Sequence, residues 1–332
     1  MTVTSSRQVI LVGEGQIEVR ERDLDALAGD GVLVRTHQAS ICGTDLTFYR
    51  GRAPQPGPLN EGELAETRYP VAIGHEGGGE VLAVGAQVRD LRPGDFVISC
   101  HWASTMADCW VASRDWLLPK PDGLSKDAAS IGEPTACAVY AGMASGVELG
   151  DVVAVSGMGF AGQVIASTVR AKGAGRIVAI DVSDAKLQLA RERGADLTIN
   201  AAREDVVARL VEETHGEGVD VAIETSGAEA SFNGLSASLK HGGIFGIYSW
   251  PTSPLRLAID RWHDDGFDLR VLALMHRRHD RGYWLPRSLQ PVAQGLIEVD
   301  SLITHRFPLA DAATAFRLAA TDPAAVKVAL QT

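Results

Sequence analysis

The segment Gly157-Met-Gly159-Phe-Ala-Gly162 lies between an apolar run, Asp151-Val-Val-Ala-Val-Ser156, and a stretch of helical character, Gln163-Val-Ile-Ala-Ser-Thr-Val-Arg-Ala-Lys172. A second apolar run, Arg176-Ile-Val-Ala-Ile180, leads into Asp181, 19 residues beyond Gly162. Strand, glycine turn, helix, strand and acid in this order can hold a dinucleotide. Gly157 permits the tight turn, Gly159 lets a pyrophosphate approach the backbone, and Gly162 lets helix and strand pack closely. The turn from Ser156 through Met158, Phe160 and Ala161 then presents helix N–H groups to phosphates. Asp181 accepts hydrogen bonds from ribose hydroxyls and repels a 2′-phosphate, so the pattern favours NAD over NADP. The competing reading of Asp181 is a turn or cap residue, although Ser183 is the better N-cap for the helix that follows.

A second set of residues could bind a metal. Cys42-Gly-Thr-Asp45, Gly74-His75-Glu76 and Gly132-Glu133-Pro134 carry thiol, imidazole and carboxylate groups, all competent zinc ligands. The gaps of 33 residues from Cys42 to His75 and 58 from His75 to Glu133 match no compact-site rule. On residues alone, a zinc site and isolated structural side chains both stay open.

These side chains need two kinds of scaffold. Up to about residue 130 the chain shows short apolar runs punctuated by glycine and proline, such as 8–12, 31–36, 79–84 and 94–99, and reads as mostly β. A Gly/Pro-rich stretch over 51–70 reads as a long loop. From about residue 136 strands alternate with helices: strands 152–156, 176–181, 197–199, 219–224 and 243–248, and helices 162–172, 184–193, 203–214 and 229–239. This alternation predicts a doubly wound parallel sheet, with Thr225, Ser226, Tyr248 and Ser249 at its carboxyl edge, where ligands bind. Beyond residue 276 a strand (302–308), a helix (310–320) and a final strand (326–330) break the rhythm. The domains expected are therefore 136–276 for the dinucleotide and 1–135 plus 277–332 for the rest.

Composition narrows the function. A net charge of −11 repels phosphate backbones and argues against nucleic acid as a partner. No apolar stretch approaches a membrane span, and the first residues lack a signal core, so a cytoplasmic protein is expected. The four cysteines, Cys42, Cys100, Cys109 and Cys137, are too few in 332 residues for a disulfide scaffold.

Taken together, Cys42-Gly-Thr-Asp45, Gly74-His75-Glu76, Arg92-Pro-Gly-Asp95, Glu133-Pro134, Gly157–Gly162 and Asp181 resemble the medium-chain dehydrogenase/reductase superfamily, in its zinc alcohol and polyol (sorbitol/threonine dehydrogenase-like) branch. The resemblance spans essentially the whole chain. It implies an α/β architecture, a Rossmann domain plus a β-rich, chaperonin-10-like (GroES-like) catalytic domain. It also implies an NAD-dependent enzyme that moves a hydride between NAD(H) and a secondary alcohol or ketone, of polyol, sugar-like or amino-alcohol type. Cys42, His75 and Glu133 would ligate one catalytic zinc, with Glu76 ligating directly or through water. Asp45 would orient His75, and Thr44 would relay the substrate proton. Lys186 would reach the adenosine ribose and Lys327 the pyrophosphate. A homodimer or homotetramer, joined through edge strands of the Rossmann sheets, is implied as well.

Two departures from that pattern matter. The segment 99–109 carries only Cys100 and Cys109, too few for the family's four-cysteine structural zinc, so none is expected. Thr47 stands where relatives often have a histidine that ends the proton relay. Tyr49, Trp102, Trp250 and Trp284 are candidate pocket residues, His101 is a candidate substrate contact, and His263, His276 and His279 read as surface. A zinc-free enone or quinone reductase and a non-catalytic dinucleotide binder are the alternatives. The full set of metal-competent residues disfavours the first and Thr44 the second.

Overall fold

The computed structural model describes residues 3–24, 26–51, 69–100, 103–251, 254–274 and 281–332. His101, Trp102, His276, His279 and nearly all of the 51–70 loop lie outside them. The elements begin with β1 (Ser5–Gly13), β2 (Gln16–Asp23), β3 (Gly31–Ile41), α1 (Gly43–Tyr49), β4 (Val71–Ala72), β5 (Glu76–Val84), β6 (Phe96–Ser99), β7 (Cys109–Ser113), β8 (Leu117–Pro119), α2 (Lys126–Ser130) and α3 (Gly132–Ala144). There follow β9 (Val152–Ser156), α4 (Phe160–Lys172), β10 (Arg176–Asp181), α5 (Asp184–Glu192), β11 (Leu197–Asn200), α6 (Val206–Glu213), β12 (Val219–Glu224), α7 (Glu229–Ala237) and β13 (Leu239–Ile247). The remainder is α8 (Trp262–Asp265), β14 (Asp268–Val271), α9 (Arg281–Ala293), β15 (Ile303–Pro308), α10 (Ala312–Thr321) and β16 (Lys327–Gln331). No helix of the described residues is long and apolar enough to cross a membrane.

Two compact units form. One contains residues 135–291 and 295–297, the other 1–134, 292–294 and 298–332. In the first, a six-stranded sheet runs β11-β10-β9-β12-β13-β14, parallel throughout. Its central strands are almost continuously apolar, as parallel strands covered on both faces must be. Ala154, Val178, Ile180, Ala222 and Phe245 pack there with Phe232 and Leu235 of α7. The chain moves from β9 outward to β11 on one side and through β12 to β14 on the other. The switch point therefore falls at the carboxyl end of β9, where the glycine turn stands. Helix α6 starts at Val206, later than the pattern predicts, because the Asp205 side chain accepts the Ala208 N–H and caps it there.

The second unit holds a three-stranded sheet, β2-β1-β4, and a larger one, β15-β16-β3-β5-β6-β8, with β7 also paired to β3. The C-terminal elements join this unit: β16 pairs antiparallel with β3, setting Val328 opposite Ile41 and Ala329 opposite Ser40. Its core gathers Val9, Leu11, Ile41, Met106, Phe316 and Leu330. Residues 281–291 of α9, placed by the sequence pattern with these C-terminal elements, group instead with the parallel-sheet unit. Pro286 and Pro291 inside α9 hide it from a reading based on helix breakers.

Candidate active site

Strand β3 ends at Ile41 and delivers Cys42 as the residue that caps α1. Asp45 reaches back from the first turn, its Oδ2 accepting the Cys42 N–H at 2.8 Å. The opposite wall comes from Gly74-His75-Glu76. Gly74 adopts φ +104°, and a Cβ there would stand 2.6 Å from Met106 Cγ, so the chain can turn into β5 only with glycine. The result is a cluster in which one donor atom each from Cys42, His75 and Glu76 lie within 4.8 Å of one another. Zinc bonds of about 2.0–2.3 Å set tetrahedral donors roughly 3.5 Å apart, so small side-chain adjustments suffice to close such a shell.

The surrounding contacts fit a metal. Asp45 is fully buried, and its Oδ1 lies 3.7 Å from His75 Nδ1. That contact orients the imidazole, as a carboxylate does for a metal-binding histidine. Glu76 is fully buried; its Oε1 has no hydrogen-bond partner, whereas Oε2 accepts from Ser40 Oγ and Lys327 Nζ. An orphaned buried carboxylate oxygen beside a thiol and an imidazole is what a cation would satisfy. Among these side chains alone, burial and the Glu76 charge push the Cys42 thiol up, with His75 only partly opposing. Burial would lower the His75 imidazole, but Asp45 and Cys42 outweigh it and hold it well above its ordinary range. Metal uptake therefore displaces protons and is favoured as pH rises.

Lys327, expected near a pyrophosphate, has its Nζ buried and 2.8 Å from Glu76 Oε2. Burial would lower this ammonium, but Glu76, Cys42 and Glu133 together raise it above the usual lysine range. Burial would likewise raise Glu76, yet Lys327 and His75 hold it below the usual carboxylate range. Ser40, which the sequence did not flag, completes this pair; a serine two residues before Cys42 in a strand carries no sequence signal.

Glu133, the other expected ligand, is buried on the first turn of α3 and lies outside the three-donor cluster. Thr44 Oγ1 lies 3.7 Å from Cys42 Sγ. The Thr47 hydroxyl donates to the Gly43 carbonyl of its own helix. Tyr49 stacks against Phe316 in the core, with ring centroids 5.5 Å apart, and is thereby a packing residue. Trp284 packs edge-on to Tyr140 at 5.2 Å, while Trp250 is exposed, as is His263.

In the parallel-sheet unit, the glycine turn has the form the sequence predicts. Gly157 adopts φ +98°, and a Cβ on it would meet Thr225 Oγ1 at 2.5 Å. A Cβ on Gly162 would stand 1.9 Å from the Gly157 carbonyl oxygen. Gly159 differs: its Cβ would meet nothing within 4 Å, and it leads into α4 without a capping side chain. Internal packing thus requires Gly157 and Gly162, while the room at Gly159 and the uncapped N–H groups of α4 suit an approaching phosphate. Gly162→Ala should accordingly cost about 1–3 kcal/mol of stability, read by denaturant unfolding. Gly159→Ala should leave the unfolding midpoint unchanged and weaken NADH binding, read by cofactor fluorescence. Equal stability losses in both variants would contradict this division.

Asp181 Oδ2 accepts the Met158 N–H at 2.6 Å and Oδ1 the Ser183 N–H at 2.9 Å, which aims the carboxylate and leaves each oxygen a lone pair. Ser183 caps α5, as expected. Lys186 is half-buried on the first turn of α5. Gln163, missed in the sequence, is buried and donates to the Met158 and Lys186 carbonyls, tying the turn to α5. Ser156, Thr225, Ser226, Tyr248 and Ser249 gather at the carboxyl edge, where the Thr225 hydroxyl donates to the Gly157 carbonyl at 2.6 Å.

Residues 28–122 match the family described as alcohol dehydrogenase GroES-like domain, and residues 161–298 the family described as zinc-binding dehydrogenase. Sorbitol dehydrogenase of Rattus norvegicus is 27% identical, over 94% of this chain and 92% of its own length. L-Threonine 3-dehydrogenase of Vibrio cholerae is 27% identical, over 90% of this chain and 91% of its own. A putative zinc-binding dehydrogenase of Sinorhizobium meliloti 1021, solved bound to NADP, superposes with a TM-score of 0.82 at 25% identity, covering 99% of this chain and 100% of its own. The convergent Cys42-His75-Glu76 cluster, the glycine turn on a parallel sheet and these matches make the chain a member of the medium-chain dehydrogenase/reductase superfamily, in its zinc-dependent alcohol and polyol dehydrogenase branch.

Proposed function

We propose that this protein is an NAD-dependent zinc alcohol dehydrogenase that interconverts a secondary alcohol and its ketone, the alcohol being a polyol, sugar-like or amino-alcohol compound. The observation that carries this reading is the meeting of Cys42, His75 and Glu76 from segments 33 residues apart in sequence. A zinc-free reductase has no use for such a set. When bound, zinc supplies Lewis acidity towards an alcohol oxygen and nicotinamide accepts the hydride. Cys42 and His75 hold the metal, with Glu76 or Glu133 as third ligand, and Asp45 keeps His75 in register. Thr44 takes the hydrogen bond of the substrate hydroxyl and passes its proton towards ribose or solvent; its closeness to Cys42 Sγ supports that role. Thr47, bonded to Gly43, takes no part.

One catalytic zinc per chain is read from the Cys42, His75 and Glu76 cluster, and no structural zinc from a 99–109 segment that carries only Cys100 and Cys109. The Asp181 carboxylate argues for NAD here, although the Sinorhizobium protein holds NADP. The sorbitol and threonine dehydrogenases among its relatives guide the choice of substrates. A cytoplasmic homodimer or homotetramer completes the reading. Because β14 covers β13, β14 is the outer strand available for pairing, and its Leu269 and Val271 are exposed.

The test is metal content on protein purified without chelator, together with NAD-linked oxidation of polyols and amino alcohols. About one zinc per chain with turnover is expected; a chain that neither carries nor takes up zinc would overturn the proposal. Asp181→Ala should weaken NADH about 10-fold or more, through loss of charge-assisted hydrogen bonds, and narrow the preference over NADPH. Unchanged cofactor preference in that variant would remove the ribose assignment.

A further inference from the structure

Glu224 ends the central strand β12 and is fully buried, yet no step above uses it. Its Oε1 accepts from Ser226 N–H at 2.7 Å, Ser226 Oγ at 2.5 Å and Gly227 N–H at 3.0 Å. Its Oε2 accepts from the Ser249 hydroxyl, with Gly227 N–H at 3.2 Å. The Ser226 oxygen itself accepts the Ala228 N–H at 3.1 Å, which frees its proton for Glu224. The Glu224 backbone carbonyl also takes the N–H groups of Tyr248 and Ser249, at 2.9 and 3.2 Å. One residue thus fastens the segment after β12 to the segment after β13.

The fastening extends to the glycine turn. Thr225, next to Glu224, donates its hydroxyl to the carbonyls of Ser156 and Gly157, at 3.0 and 2.6 Å. These segments lie on the β12–β13 side of the switch point, whereas Asp181 ends β10 on the other side. A doubly wound sheet takes the two halves of a dinucleotide on those two sides. A solvent-excluded carboxylate that only receives N–H and O–H donors is a costly device for closing a turn. Its return is a fixed geometry for two loops at once.

We infer that Glu224 is a positioning residue for the nicotinamide half of the cofactor, acting through the 225–227 and 248–249 segments. The inference rests on the dinucleotide-binding reading given above. Glu224→Ala removes the carboxylate from both segments and leaves only the backbone bonds to Tyr248 and Ser249. Glu224→Gln keeps them, because its carbonyl still receives the Ser226 and Gly227 donors and its amide can donate to Ser249.

The experiment measures NADH and AMP affinities of wild type and both variants, by fluorescence and calorimetry. In Glu224→Ala, NADH should bind about 10-fold more weakly with AMP affinity within about twofold, whereas Glu224→Gln should stay within about threefold of wild type for both ligands. Unchanged NADH binding in Glu224→Ala overturns the inference. So does a parallel loss of AMP, or a Gln variant no better than Ala. If Glu224→Ala does not fold, Glu224→Asp carries the test: the same charge on a stem one methylene shorter should weaken NADH and spare AMP, and wild-type NADH affinity there is equally fatal. A wild-type protein that binds neither ligand overturns the dinucleotide reading itself.

Discussion

Cys42→Ser should abolish zinc retention and lower alcohol oxidation by about a hundredfold to a thousandfold or more, the scale expected where a metal supplies several kcal/mol to the barrier. The thiolate is the soft, anionic donor of the set, and a serine hydroxyl neither ionises near neutral pH nor matches zinc as well. The backbone should hold, because Asp45 bonds the N–H of residue 42 and not its side chain. Cofactor binding should persist, since the glycine turn, Asp181 and Glu224 all belong to the other unit. Metal analysis, NADH titration and turnover on one preparation check all three. A variant with full zinc and full activity would remove Cys42 from the metal site.

Lys327→Met should cost about 3–5 kcal/mol of stability, because removing one partner of a buried ion pair strands the other charge. The methionine keeps the side-chain volume, so the loss reports the charge. The pH dependence gives a second signature. Glu76 has its pKa depressed in the folded protein, so its contribution is present above the unfolded carboxylate value and is lost as pH falls through the folded value. Lys327 has its pKa raised, so its contribution is complete below the unfolded lysine value and fades only as pH rises through the folded one. Across neutral pH both apply in wild type. In the variant, burial without the cation drives Glu76 upward, and the acid limb of the stability curve should move to higher pH. Denaturant unfolding at several pH values reads this; equal stability at pH 7 would mean the pair contributes nothing net.

The contrast between Asp181 and Lys327 shows what sequence could reveal. Asp181, the glycine turn and their strands lie within one short stretch, and parallel strands buried on both faces announce themselves as apolar runs. The turn, the parallel sheet and the serine cap of α5 were legible for that reason. Lys327 meets Glu76 across 251 residues through strand register, which no local pattern encodes. The resemblance named four candidate ligands; Glu76 gathers with Cys42 and His75 while Glu133 lies outside that three-donor cluster. Helix α3 escaped notice because its Ala- and Gly-rich surface is buried on nearly every side, leaving no amphipathic stripe. Strand β2 escaped because it is polar and largely exposed.

The pairing of β16 with β3 also bears on how the molecule is made. Ile41 leaves the ribosome early, but its partner Val328 follows some 290 residues later, roughly 15–60 s at about 5–20 residues per second. Residues 135–291 are nearly self-sufficient and can fold during that interval. The first-synthesised segment, by contrast, must wait with the β16-facing edge of β3 unpaired and the Glu76 carboxylate without its lysine. The surroundings of the metal ligands are therefore completed only when β16 arrives, and a polypeptide released before then would keep an open, aggregation-prone edge on β3 next to Cys42.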